Sequence, residues 1–413
     1  MSRANTVFVA PFALPSTLRF LRAAALLPDT TFSVVAQEPA ASFMAALDEE
    51  VRDRIADIVS VADCHDPDQL EGAVRRVAAS TGSEVTALVG ILEPLQEALA
   101  SVRERLQIRG MDRAEAGRFR DKAVMKDALR AHDLPCAGHH LATDAASALS
   151  FARGTMPLVA KPPAGAGARD TFRVDEVAQL ESWMGSNPPS PQRPLLLEEF
   201  VQGREFSFDS VSVGGRHLFH SISEYSPTPL QVMESPWIQW TVMLPRDISG
   251  PEYAPILSAG PRALDALGMV SGMTHMEWFR RADGSIAISE VAARPPGAQF
   301  TSLISYAHDR DFYRVWAEVS ILEEFTPPPR RYATGAAYLR GQGGGRVARV
   351  AGIERANEEL GDLVVESQLP APGQPKASSY EGEGFIILRH EDTDRVREGL
   401  RRAVEILQVE LSS

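Results

Sequence analysis

The sequence predicts a multidomain protein of the α/β and α+β classes: a doubly wound N-terminal unit, a mixed central unit and a small C-terminal α+β unit. Three observations carry this expectation. The chain has 413 residues, too long for one compact core and enough for roughly two to three packed units. Near the N-terminus, short β-branched runs alternate with helical patterns. Between residues 150 and 330, strand-like runs alternate with Gly/Pro-rich turns, as in a mixed α+β unit.

Taken in order, TVFVA at 6–10 and FSVVA at 32–36 flank a helix-like segment, Thr17 to Leu26, which is the βαβ pattern of a parallel sheet. The first apolar stretch is interrupted by Pro11 and lacks a basic n-region, so it reads as a buried strand and not a leader. A further strand, Val85 to Val89, precedes a helical stretch through Glu104. No G-x-G-x-x-G follows the first strand, which argues against nicotinamide or flavin binding. After Gly110 comes the charged helical segment RDKAVMKDALRAHDLP, stopped by Pro135. LVAKPP, LLLEEFV, FSFDSVSV, MTHMEWF and SIAISEV then read as strands. TPPPRR at 326–331 reads as a linker, followed by short strands, a glycine cluster at 343–345 and an amphipathic helix over about 393–409. The expected units are residues 1–118, 119–330 (with a mobile lid over about 138–200) and 331–413. No fixed-period repeat is present, which removes solenoids and propellers.

Lys and Arg number 42 against 55 Asp and Glu, a net charge of −13, which disfavours nucleic acid or anionic lipid as partners. Only Cys64 and Cys136 occur, without a Cys-x-x-Cys, so neither a disulfide framework nor a cysteine-zinc site is expected and a reducing, cytoplasmic setting fits. Nowhere do the roughly 18 uncharged apolar residues of a membrane span run together.

Lys161 ends an apolar strand and is followed by PPAGAGARD, where Gly165 and Gly167 let backbone amides turn toward an anion. This suits phosphate; taken singly it also describes a tight turn with a surface lysine. In LLLEEFVQGRE, strand alternation places Glu198 and Glu199 on opposite faces. The extended backbone at Phe200 and Val201 can meet an adenine edge, and Glu205 can accept from ribose hydroxyls. An acidic pair at a strand end is otherwise just solvated. Glu277 in MTHMEWF and Glu290 in IAISEV sit in apolar strands joined by an ADG turn. Side by side they repel unless a cation lies between, and hard oxygen ligands suit magnesium on ATP phosphates; pairing with Arg280 or Arg281 is the structural alternative. Arg294 in EVAARPPG can reach a phosphoryl group or a developing oxyanion. His275 can orient a substrate, deprotonate an amine, or be a sheet histidine. His217 and His220 read as strand residues and not as metal ligands, with no third ligand evident. Trp237 and Trp240 either wall a pocket or cover a core edge.

In this order, DK at 121–122, VAKPPAGAG, LEEFVQGRE, HMEWF and EVAARPPG resemble the nucleotide-site motifs of the ATP-grasp superfamily. The resemblance covers roughly residues 80–320 and implies an ATP-grasp fold behind a Rossmann-like N-terminal domain. It implies phosphate contacts for Lys122 and Lys161, adenine contacts along Glu198 to Val201, ribose at Glu205, Mg2+ (or Mn2+) on Glu277 and Glu290, and a reaction-centre role for Arg294. His275 and the E-V-A-A-R-P-x-G ending look most like L-amino-acid ligases and carnosine-synthase-like enzymes. Such an enzyme joins a small-molecule carboxylate to an amine through an acyl phosphate and releases ADP and phosphate. Carboxylation or formyl transfer by the same fold, or ATP binding without chemistry, are the rival readings. Two departures stand out: Ala292 replaces a metal-binding Asn frequent in relatives, and Arg169 and Asp170 replace frequent Ser and Gly. The sequence selects neither substrate and leaves a homodimer open.

Overall fold

Apolar residues on both faces of the N-terminal strands call for helices on both sides. In the computed structural model, which describes residues 4–165, 171–235 and 238–412, β1 (Ala4–Val9), β2 (Thr30–Ala36), β3 (Ile55–Ser60) and β4 (Ala87–Val89) form a sheet in the order β3-β2-β1-β4. All its pairings are parallel. Helix Pro15–Ala25 packs Phe20 and Leu21 against Phe8 and Phe32 on one face. Helices Pro67–Thr81 and Gln96–Leu106 pack Leu70, Val74 and Leu99 against Val7 and Val9 on the other. The charged segment after Gly110 forms two helices, Arg113–Arg120 and Lys122–Ala131. Asp121 breaks and caps them, its carboxylate accepting from the amides of Ala123 (2.8 Å) and Val124 (3.1 Å).

A second, antiparallel sheet holds β5 (His139–Ala142), β6 (Leu158–Lys161), β7 (Phe172–Val174) and β8 (Leu195–Glu199) in the order β5-β8-β6-β7. The segment expected as a lid is thus a sheet with its own core of Leu158, Leu180 and Leu197.

The remaining strands are β9 (Arg204–Val213), β10 (Arg216–Ser226), β11 (Trp240–Leu244), β12 (Gly272–Arg280), β13 (Ile286–Ala292), β14 (Ala333–Leu339), β15 (Arg346–Ala351), β16 (Val364–Gln368), β17 (Gly384–His390) and β18 (Gln408–Ser412). Eight of them form one antiparallel sheet, β13-β12-β9-β10-β11-β14-β17-β16, and β15 pairs with β18. Trp240 on β11 stands opposite Tyr338 on β14, so the division expected at residue 330 does not separate two sheets. The Pro-rich stretch interrupts secondary structure but not the sheet. The final helix, expected to about residue 409, ends at Ile406. Leu407, Val409 and Leu411 alternate with polar residues at period two, and β18 follows. Among the described residues no helix is long and apolar enough to cross a membrane.

Alternation along β9 and β12 creates the site. Phe206, Phe208, Met276 and Trp278 point into a core shared with helices Lys122–Ala131 and Ala254–Leu267. Glu205, Ser207, Asp209, His275 and Glu277 therefore share the other face. Phe208 is 0 % exposed, and burying it contributes about 1.5–3 kcal/mol. A one-residue slip would drive Glu277 into the apolar layer, so packing fixes the register of the polar face.

Candidate active site

Glu277 and Glu290 are direct cross-strand neighbours, and His275 stands opposite Ala292 on one side and Asp209 on the other. Two carboxylates so placed repel unless compensated. Lys122 Nζ lies 2.8 Å from Glu290 Oε1. Burial would raise the Glu290 carboxyl, but Lys122 and Lys161 hold it below its usual range. Neither Arg280 nor Arg281 is its partner: Arg281 pairs with Glu199 at 2.7 Å. Glu277 Oε1 is faced by His275 Nε2 at 3.6 Å, which leaves Oε2 for a hard cation. Among the described residues no cluster of three or more His, Cys, Asp or Glu forms a complete metal cage. A carboxylate pair fits Mg2+, which takes its other ligands from phosphate oxygens and water.

Helix Lys122–Ala131 sends two lysines, one turn apart, to this centre. Lys126 Nζ meets Glu198 Oε1 at 3.0 Å and donates to the Ser289 carbonyl at 2.5 Å. Lys161 Nζ meets Glu198 Oε2 at 2.9 Å. The Glu198 side chain, expected along the adenine edge, is thus a buried clamp between two lysines. Burial works to raise its carboxyl, yet the flanking ammonium groups lower it to about 2.

Of the backbone expected to meet adenine, the Phe200 amide is consumed by the Pro157 carbonyl at 3.1 Å. The Val201 amide has no hydrogen-bond partner among the described residues. Glu205 is 7 % exposed and its carboxylate likewise lacks a hydrogen-bond or ion-pair partner among them. Burial, and then Glu277, hold it well above the usual carboxylate range. The Gly165 carbonyl accepts from Lys122 Nζ (3.2 Å) and Arg120 Nη1 (3.3 Å). A side chain added at Gly165 would meet nothing within 4 Å, so space beside it is open. Gly167, Arg169, Asp170 and Trp237 lie outside the described residues.

His275 Nδ1 lies 2.6 Å from Asp209 Oδ1, and Asp209 Oδ2 accepts from Ser207 Oγ at 2.7 Å. Burial opposes charging the ring, but Asp209 outweighs it and raises the imidazole to about 9. His217 Nε2 and His220 Nδ1 lie 3.1 Å apart, and both rings stack on Phe208. Trp240, 1 % exposed, stacks on Tyr338 with centroids 4.6 Å apart: it is a core residue.

Arg294 is held by Glu93, whose Oε2 lies 3.0 Å from its Nη2, while Oε1 takes Arg120 at 2.7 Å. Glu93, Arg120, Lys126 and Asp209 were not singled out from sequence. Signals existed for two: Lys126 follows Lys122 at helical spacing, and Asp209 continues the period-two row of Glu205 and Ser207.

No family model matches the chain. An L-arginine-specific L-amino acid ligase from Bacillus subtilis is 26 % identical over 197 residues, covering 46 % of this chain and 44 % of that protein; the match thus spans less than half of that relative's length. The crystal structure of an L-amino acid ligase from Bacillus licheniformis aligns over 100 % of both chains with a TM-score of 0.78 and 18 % identity. Carboxyaminoimidazole ribonucleotide synthase from Aspergillus clavatus, complexed with ATP, aligns over 98 % of this chain and 99 % of its own, with a TM-score of 0.70 and 16 % identity. The chain has the architecture of these enzymes from end to end.

Proposed function

From the ATP-grasp fold of this chain, we propose that it is an ATP-dependent carboxylate–amine ligase acting on an amino acid, releasing ADP and phosphate. The observation that carries the reading is the cross-strand pair Glu277 and Glu290, set among Lys122, Lys161 and Arg294. Magnesium, or manganese in its place, would offset phosphate charge when held by the two glutamates. Lys122 and Lys161 supply fixed cations for phosphate oxygens, and Glu205 offers a partnerless carboxylate for ribose hydroxyls. Val201 offers its amide to the adenine edge.

In-line transfer of the γ-phosphoryl group to the substrate carboxylate forms an acyl phosphate and ADP. An amine then attacks the acyl carbon, the C–O bond to phosphate breaks, and the departing phosphate takes up the proton that the amine gives up. Arg294 stabilises the oxyanion at the tetrahedral stage. His275, held through Nδ1 by Asp209, points Nε2 toward Glu277, where it orients the phosphorylated substrate or takes the proton of the amine. Likeness to two L-amino acid ligases supports an amino acid as substrate, and we read the amide as a dipeptide. Incubation with Mg-ATP and pooled amino acids, followed by mass spectrometry, should give ADP, phosphate and a new amide. AMP with pyrophosphate would overturn the acyl-phosphate route, and carboxylated or formylated amines would move the protein to a rival reaction of the same fold.

A further inference from the structure

Arg294 leaves β13 through an Arg-Pro-Pro-Gly turn that does little to fix a long side chain; within the turn it donates only Nη1 to the Pro295 carbonyl, at 3.2 Å. Its orientation is set from the other end of the chain. Glu93 stands on the short turn Glu93–Leu95 after β4, at 6 % exposure, with Leu95 beside it fully buried. One oxygen, Oε2, accepts from both Nε (3.1 Å) and Nη2 (3.0 Å) of Arg294. The other accepts from Arg120 Nη1 at 2.7 Å. Arg120 reaches on to the Gly165 carbonyl at 3.3 Å, which also receives Lys122, the partner of Glu290. A continuous set of charged hydrogen bonds therefore runs from Arg294 through Glu93 and Arg120 to the Gly165 carbonyl, and on through Lys122 to Glu290.

As a stability device this trio is poor. Taking a carboxylate and two guanidinium groups out of water costs hydration that pairing only partly returns, and it leaves an excess positive charge. What the arrangement achieves is direction: two donors of one guanidinium converging on one fixed oxygen restrict the rotation of its plane. We propose that Glu93 is the positioning residue of the reaction centre, holding Arg294 in its working orientation and linking it through Arg120 to the backbone at Gly165. This rests on the ligase reading of Arg294. Glu93 touches no reacting atom; it acts through the arginine.

The test is a double-mutant cycle with Glu93→Gln and Glu93→Ala, each made in the wild type and in Arg294→Ala, read as amino-acid-dependent ADP release. Misplacing the arginine should lower kcat about a hundredfold for Glu93→Ala, with less loss for Glu93→Gln and an ATP KM unchanged within about twofold. In the Arg294→Ala background neither change should cost anything further. Losses that multiply across the two backgrounds, or a loss expressed in the ATP KM, overturn the proposal. A crystal structure of Glu93→Ala gives a readout independent of turnover: Arg294 displaced supports the proposal, Arg294 in its original place overturns it. If the wild type forms no amide, the ligase reading fails by itself while the structure still decides what Glu93 does.

Discussion

Lys126 carries its charge at 0 % exposure and holds it with Glu198 at 3.0 Å and the Ser289 carbonyl. Removing it leaves a buried carboxylate with Lys161 as its remaining partner, and breaking such a pair from one side costs about 3 kcal/mol. Lys126→Met should therefore lower the urea midpoint by that equivalent; a loss below about 1 kcal/mol would show that Lys161 alone satisfies Glu198. Arg294, whose side chain is 20 % exposed where that of Lys126 is fully buried, gives up less on removal, so Arg294→Ala should cost less stability than Lys126→Met. Turnover should fall by about two to three decades, the usual weight of one oxyanion donor; full activity in a steady-state assay would remove Arg294 from the reaction centre. These residues were not equally legible. Lys161, Glu277 and Glu290 stand out because a charge inside or ending an apolar strand needs a reason. Glu93 does not, because its partners are 27 and 201 positions away, and no local pattern encodes a contact of that span.

Strands β9, β12 and β13 hold the carboxylates by register, and Gly203, just before β9, lies against the backbone at the end of β12. A Cβ there would stand 2.4 Å from the Arg280 carbonyl oxygen, and that backbone oxygen cannot swing aside as a side chain can. Gly203→Ala should push the start of β9 away from the end of β12, destabilise the protein by about 1–3 kcal/mol and disturb Glu205, which pairs with Phe279 two residues further along. The ATP KM should rise in the same variant. An unchanged melting temperature and KM would mean that the ladder absorbs the methyl group. The strands themselves were readable from period-two alternation, as was the presence of a polar face. β3 was not, because IADIVS is only partly buried and carries Asp57 at its centre. Nor was the break at Asp121, where one residue both ends a helix and caps the next.

Across the molecule, the eight-stranded sheet passes through the position where the Pro-rich stretch suggested a boundary. Pairing of β11 with β14 joins strands far apart in sequence, so composition marks the linker without revealing that both sides share one sheet. Where that stretch passes, histidines are buried: His308 Nδ1 bonds to the Pro329 carbonyl at 3.1 Å, and Arg330 donates to Ser221 beside the His217–His220 pair. Burial first, and the Arg330 charge after it, lower His308 to about 4; burial, then His217 and Arg330, lower His220 to about 4. An unfolded histidine titrates near pH 6.5. Below that value the unfolded chain takes up protons that these folded side chains refuse, so the stability they contribute is complete above about pH 6.5 and is lost as pH falls toward 4. Glu205, raised by burial, protonates early in the fold and works in the opposite direction, so the total curve does not isolate the histidines. Comparison with His308→Gln and His220→Phe does. Between pH 7 and 5 the urea midpoint of the wild type should fall further than that of either variant, the phenylalanine keeping the stack on Phe208. Equal falls in all three proteins would mean that the imidazoles accept protons within the folded protein at their ordinary pH.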